Sequence, residues 1–162
     1  TYIYKMSLES KLLNIKKEDV EWLSLNGIIC QCKVIDVYDG DTVTLIIPYY
    51  DTYKMIKCRL LNIDTAEKRT KNKEEKKFAL DTTEYMKTLI LDKIIWVRCS
   101  NFDKYGRTLG SLYLSKDDFD NDKSLNMRLI KEGYAYLYNK KTGLKKKDFN
   151  EWYNNRHNNS LL

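Results

Sequence analysis

The chain has 162 residues, 43% of them hydrophobic and 32% charged, with a net charge of +6. That length and mix predict one folded domain and exclude a disordered or collagen-like chain; no stretch approaches the about 18 consecutive apolar residues of a membrane span. The excess of Lys and Arg suits an anionic partner, nucleic acid or a membrane surface, without choosing between them.

Leu12, Leu13, Val20, Trp22 and Leu23 form a partial apolar stripe, which predicts a helix over residues 8–26 with Gly27 as its stop. Residues 28–38 read as a strand, and Val43 to Ile47 as a second that Pro48, the sole proline, ends. Met55 to Ile63 is a third strand running into Asp64, and alternation puts Arg59, Leu61 and Ile63 on one of its faces. A charged loop, Glu67 to Lys73, follows. Asn72 and Glu75 make a candidate capping box. Phe78, Thr82, Tyr85 and Leu89 recur at helical spacing, predicting an amphipathic helix over 73–92. Ile94 to Cys99 and Thr108 to Leu114 are further strands separated by the turn Asp103-Lys-Tyr-Gly-Arg107. Ser124 caps a short helix ending near Gly133, a last helix covers 144–157, and the tail Asn158–Leu162 frays. Three strands, a helix, two strands and then helices predict an α+β, mainly β fold: a closed five-stranded oligonucleotide-binding (OB-fold) barrel with about three packed helices. Residues 1–27 are assigned to a helical extension, 28–157 to the domain and 158–162 to the tail.

Cys30, Cys32, Cys58 and Cys99 lie in apolar, strand-like segments without zinc-site spacing, and read as small core residues. Three other clusters carry polar chemistry. In Asp39-Gly40-Asp41-Thr42, the Asp-Gly pair fits an ordinary hairpin turn. It equally fits half of a metal site, because Asp41 opens one strand while Asp64 closes another, and hard divalent cations take oxygen ligands. In Arg59-Leu-Leu-Asn-Ile-Asp-Thr-Ala-Glu67, Arg59 either reaches solvent or points into a polar cleft with Asp64 and Glu67. Glu67 is ionised at neutral pH and a weak base, so it needs a metal to acidify the water it activates. The third cluster supplies Arg107 behind Gly106; two guanidinium forks match the oxygens of a phosphodiester. His157 is the only histidine and reads as a surface residue, which excludes two-histidine ribonuclease chemistry and disfavours a serine–histidine triad.

"DGDTV", "RLLNIDTAE" and "DKYGR", in that order, resemble the staphylococcal nuclease (thermonuclease) family over about residues 28–140. The resemblance implies a barrel with three helices and hydrolysis of DNA and RNA that leaves 3′-phosphate ends. It implies calcium (Ca2+) as cofactor, with Mg2+ or Mn2+ as substitutes. It assigns Asp41 and Asp64 as metal carboxylates, Thr65 as a carbonyl ligand, and Arg59, Glu67 and Arg107 as catalytic. Lys104, Tyr105 and Tyr138 match substrate-binding positions. Ala66 stands where the family usually has proline, which bears on the stiffness of the loop between Asp64 and Glu67. The expected partner is DNA or RNA, single-stranded or flexible regions favoured, acted on by a monomer without a membrane span. The alternative is a catalytically silent member of the same fold that binds nucleic acid or protein; a third reading makes residues 8–26 a docking helix in a larger assembly. No signal-peptide pattern is visible, but the chain begins at Thr1 and not Met, so localisation is left unknown.

Overall fold

In the computed structural model, which describes residues 8–157, α1 (Leu8–Asn14) is followed by a single turn of 3-10 helix at Lys17–Asp19 and then by irregular chain. The helix expected over 8–26 is therefore confined to its first turns. The cause is the lack of a facing surface: Leu12, Leu13, Val20, Trp22 and Leu23 all remain exposed, and only Leu25 enters the core. Helices this short are marginal without a packed apolar face. The predicted tail, Asn158–Leu162, lies outside the described residues.

Alternating apolar side chains then set three antiparallel strands, β1 (Ile29–Val37), β2 (Thr42–Tyr49) and β3 (Thr52–Leu60). Pro48 does not end β2. It sits opposite Tyr53, beyond the last β1 partner at Ile46, so its missing N–H breaks no ladder bond. The third strand begins and ends three residues earlier than predicted: Asn62 takes φ +62° and turns the chain, and Ile63–Thr65 forms a separate strand, β4. The break also overturns the predicted sharing of a face by Arg59 and Ile63. Ile63 is buried in the core, while Arg59 is turned to the cleft.

α2 (Lys73–Ile90) is capped by the Asn72 side chain, which accepts from the N–H groups of Glu74 and Glu75. The expected capping box is only half made, since Glu75 turns its Oε1 to the N–H of Glu67 at 3.2 Å. The buried stripe of α2 is Ala79, Thr82, Thr83, Met86 and Ile90, with Phe78, Tyr85 and Leu89 at its margins. β5 (Ile94–Phe102) and β6 (Thr108–Tyr113) follow; α3 (Lys116–Asp120) was not anticipated; α4 (Leu125–Lys131) starts at the Ser124 cap. β7 (Ala135–Leu137) and α5 (Phe149–Asn155) complete the described chain, and the predicted last helix is short at its start because residues 144–148 form a loop up to the Asp148 cap.

The barrel closes in the order β1-β2-β3-β6-β5, with β3 and β6 parallel and the other neighbours antiparallel. This is the five-stranded OB-type barrel with helices that the element order predicts. Its core includes Val34, Val43, Leu45, Ile47, Leu60, Val97 and Leu112, and full burial of each such side chain contributes about 1.5–3 kcal/mol relative to exposure. Cys32, Cys58 and Cys99 are buried there as free thiols, and burial pushes Cys32 up to about 12. Outside the barrel, β4 pairs with β7. A second cluster of Ala66, Ala79, Tyr136, Phe149 and Trp152 packs this two-stranded ribbon against α2 and α5. Among the described residues, no helix is long and apolar enough to cross a membrane.

Candidate active site

A cleft of about 810 Å³ opens where the end of β3, the ribbon strand β4, the β5–β6 connection and the segment after β7 meet. The predicted residues Asp41, Arg59, Asp64, Thr65, Glu67, Lys104, Tyr105, Arg107 and Tyr138 all line it.

Asp41 is brought there by the bend before β2, where its N–H donates to Asp39 Oδ1 at 3.1 Å. Gly40 in that bend does not have positive φ, so conformational freedom is not its role and the Asp-Gly pair is not a primed hairpin turn. Close approach is: a Cβ on Gly40 would lie 2.7 Å from Thr82 Cγ2 and 3.0 Å from Thr65 Oγ1. The bend is thus seated directly on α2 and β4. Gly40→Ala is expected to destabilise the fold by about 1–3 kcal/mol through overpacking and to displace Asp41. Urea unfolding checks this, and an unchanged midpoint would sink it.

Arg59 joins the two carboxylates. Its Nη2 lies 3.1 Å from Asp41 Oδ2 and 2.8 Å from Asp64 Oδ1, while Nη1 donates to the carbonyls of Leu60 and Ile63 at 2.8 Å each. Thr65 Oγ1 donates to Asp41 Oδ2 at 3.2 Å, and Thr42 Oγ1 to Asp41 Oδ1 at 3.1 Å. Burial pushes the Asp41 carboxyl up to about 7 in spite of the Arg59 guanidinium, with Asp39 and Asp64 adding to the rise. Two buried carboxylates thus share one guanidinium.

Arg107 approaches from the other wall. Gly106, at φ +78°, makes the turn, and Asp103 clamps Arg107 by accepting from its backbone N–H at 2.9 Å and from Nε at 2.7 Å. Burial alone would raise Asp103, but hydrogen bonds from Arg107 and Tyr105 outweigh it and hold the carboxyl below its ordinary value. This leaves the outer nitrogens of the guanidinium facing the cleft, Nη1 3.5 Å from Thr42 Oγ1. Lys104 and Tyr105 are exposed at the rim, with Lys104 Nζ 4.8 Å from the Tyr105 ring centre. Tyr138 is half-buried and donates its N–H to the Asn62 carbonyl at 2.9 Å.

Glu67 stands at the mouth, with a side chain 51% exposed. The loop joining it to Asp64 is held by packing and not by a proline ring: Ala66 is 6% exposed, within the aromatic cluster. Two residues of the cleft region escape sequence reasoning. Tyr136 donates its hydroxyl to Asp64 Oδ2 at 2.7 Å. Lys146 ion-pairs with Glu67 and lies 3.8 Å from Asp64 Oδ2. Neither belongs to a motif with the residues it touches, and the only sequence signal is the abundance of Tyr and Lys between Tyr134 and Lys147.

Among the described residues, no three His, Cys, Asp or Glu side chains form a ready metal cage. The donors at hand are carboxylate and carbonyl oxygens, and the two buried carboxylates share one guanidinium, so the set fits a hard divalent cation better than a soft one. Asp41, Asp64 and the Thr65 carbonyl would hold such an ion, leaving other positions to solvent or substrate oxygens.

The model of the family described as staphylococcal nuclease homologue matches residues 57–159. A protein of Escherichia coli O157:H7 called an uncharacterized endonuclease is 30% identical over 106 residues, covering 65% of this chain and 60% of that protein. An uncharacterized endonuclease of Haemophilus influenzae is 31% identical over 107 residues, 66% of this chain and 52% of that protein. A probable endonuclease of Colletotrichum graminicola is 32% identical over 91 residues, 56% of this chain and 33% of that protein. The matched segment thus spans 60% or less of each of these relatives.

Proposed function

The chain belongs to the staphylococcal nuclease homologue family, and from that premise we propose that it is a calcium-dependent nuclease that hydrolyses phosphodiester bonds of DNA or RNA and leaves 3′-phosphate ends. The observation that carries the reading is the convergence of two buried carboxylates, Asp41 and Asp64, on Arg59 within a cleft whose opposite wall presents Arg107. The net charge of +6 suits a polyanionic substrate. Single-stranded or flexible regions are favoured, because the cleft must reach the phosphate of one strand.

Asp41, Asp64 and the Thr65 carbonyl hold the ion in this reading, and a bound hard cation supplies charge neutralisation and a more acidic water. The rest is done by the chain's own residues. Water adds to phosphorus as the bond to the 5′-oxygen breaks, and that oxygen takes a proton from solvent, giving a 3′-phosphate and a 5′-hydroxyl. Glu67 receives the water's proton on its carboxylate. Arg107 donates to the non-bridging oxygens, where charge grows in the transition state. Arg59 keeps the carboxylates in place and offers a second cationic wall.

Incubation of the full chain with heat-denatured DNA, in calcium, in magnesium and in chelator, tests this. Cleavage that requires the divalent ion and yields 3′-phosphate ends is the expected result. Binding without cleavage under every ion would overturn it.

A further inference from the structure

Lys146 occupies a position that a nuclease reading does not require. Its ammonium ion-pairs with Glu67, 79 positions away in sequence, and lies 3.8 Å from Asp64 Oδ2. The loop carrying it is pinned at the next residue: the Lys147 N–H donates to the Tyr136 hydroxyl at 3.3 Å, and that hydroxyl donates to Asp64. Lys140 and Lys141, on the same rim, make no ion pair among the described residues. Lys146 is thus the lysine of this wall that the fold directs onto the carboxylates.

We propose that Lys146 is a tethered counter-cation: its ammonium neutralises Glu67 and Asp64 in the ion-free chain, and a divalent cation must displace it. The inference rests on the reading of Asp41 and Asp64 as a cation site. Charge supports it. The ammonium faces two carboxylates, those of Glu67 and Asp64, and a cation drawn to the same oxygens meets its like charge there. Mobility supports it as well. The Lys146 side chain is 53% exposed and can swing into solvent, whereas the Asp64 side chain, at 10%, cannot follow. The affinity for the ion is therefore set against a competitor built into the chain.

Calorimetric titration of the full chain with calcium chloride, without nucleic acid, separates the outcomes. Lys146→Met is expected to bind calcium about tenfold more tightly than the unmodified chain, the effect of removing one neighbouring charge. Lys146→Arg keeps the charge and is expected to keep the original affinity. Adding Asp41→Ala to Lys146→Met is expected to abolish binding. Equal binding by Lys146→Met and the unmodified chain, or weaker binding by the variant, overturns displacement and leaves the cation site standing. Absence of calcium binding in both overturns the cation site, and the displacement inference with it. Urea unfolding in chelator confirms that each variant is folded.

Discussion

Arg107→Ala is expected to lower single-turnover cleavage by a factor on the order of 10²–10⁴ while leaving the fold intact. The side chain is 30% exposed and packs into no core, so its removal opens no cavity. What is lost is a preorganised donor. Asp103 fixes the backbone N–H and Nε of Arg107, which aims the remaining guanidinium N–H groups at the cleft before substrate arrives. Arg107→Lys retains charge but not the fork, and is expected to recover little of the rate. Asp103→Asn keeps the shape of the turn and weakens the clamp, so its rate should lie between those of the unmodified chain and Arg107→Ala. The pH sense follows from the depressed Asp103 carboxyl. Its contribution to stability is fully present above the ordinary value of 3.8 and is lost only as pH falls through the lower folded value. The clamp is therefore constant across the neutral range. A normal rate for Arg107→Ala would remove this residue from the mechanism.

Arg59→Ala is expected to behave differently, costing stability first, by about 3–5 kcal/mol. Arg59, Asp41 and Asp64 have side chains 12%, 8% and 10% exposed, and the guanidinium is the cation that both buried carboxylates share. Its removal also frees the carbonyls of Leu60 and Ile63, which flank the break between β3 and β4. The deficit should grow with pH. A carboxyl whose folded pKa is raised, as burial raises Asp41, destabilises the fold progressively as pH rises from the ordinary value of 3.8 through the folded one. Loss of Arg59 raises that folded value further. Urea midpoints at pH 5 and pH 8 read this out, with the larger deficit expected at pH 8. Identical midpoints for the variant and the unmodified chain would show that the carboxylates are not held by this residue. The contrast has a practical side: an inactive Arg59→Ala protein would report on folding as much as on catalysis, whereas Arg107 isolates the chemistry.

Much of this arrangement was legible where neighbours in space are neighbours in sequence. The turn carrying Arg107, the Asn72 and Ser124 caps and the alternation of β1 and β2 are local matters, decided by turn chemistry and side-chain period. The failures share a cause of the opposite kind. A stripe of apolar residues predicts a helix only if something faces it, and nothing in Leu12 to Leu23 says that nothing does. Pro48 forbids a ladder bond only where a partner strand is present. Gly40 reads as a turn former because Asp-Gly is one, yet its need comes from Thr82 and Thr65, which the fold alone brings close. Tyr136 and Lys146 meet Asp64 and Glu67 across 72 and 79 positions, and no local pattern records such meetings.

The pairing of β4 with β7 also fixes when the site comes into being. The barrel strands end at Tyr113, but Asp64, already paired with Arg59, gains its second partner only with Tyr136, and the pinned loop only with Lys147. Translation adds about 5–20 residues per second, so several seconds separate the emergence of Asp64 from that of Lys147. During that interval a nascent chain can hold Asp41, Arg59 and Arg107 on a closing barrel while Asp64 still lacks the Tyr136 hydroxyl. A chain interrupted between Tyr113 and Lys147 therefore has every barrel strand but lacks part of the cleft wall that carries Tyr136 and Lys146.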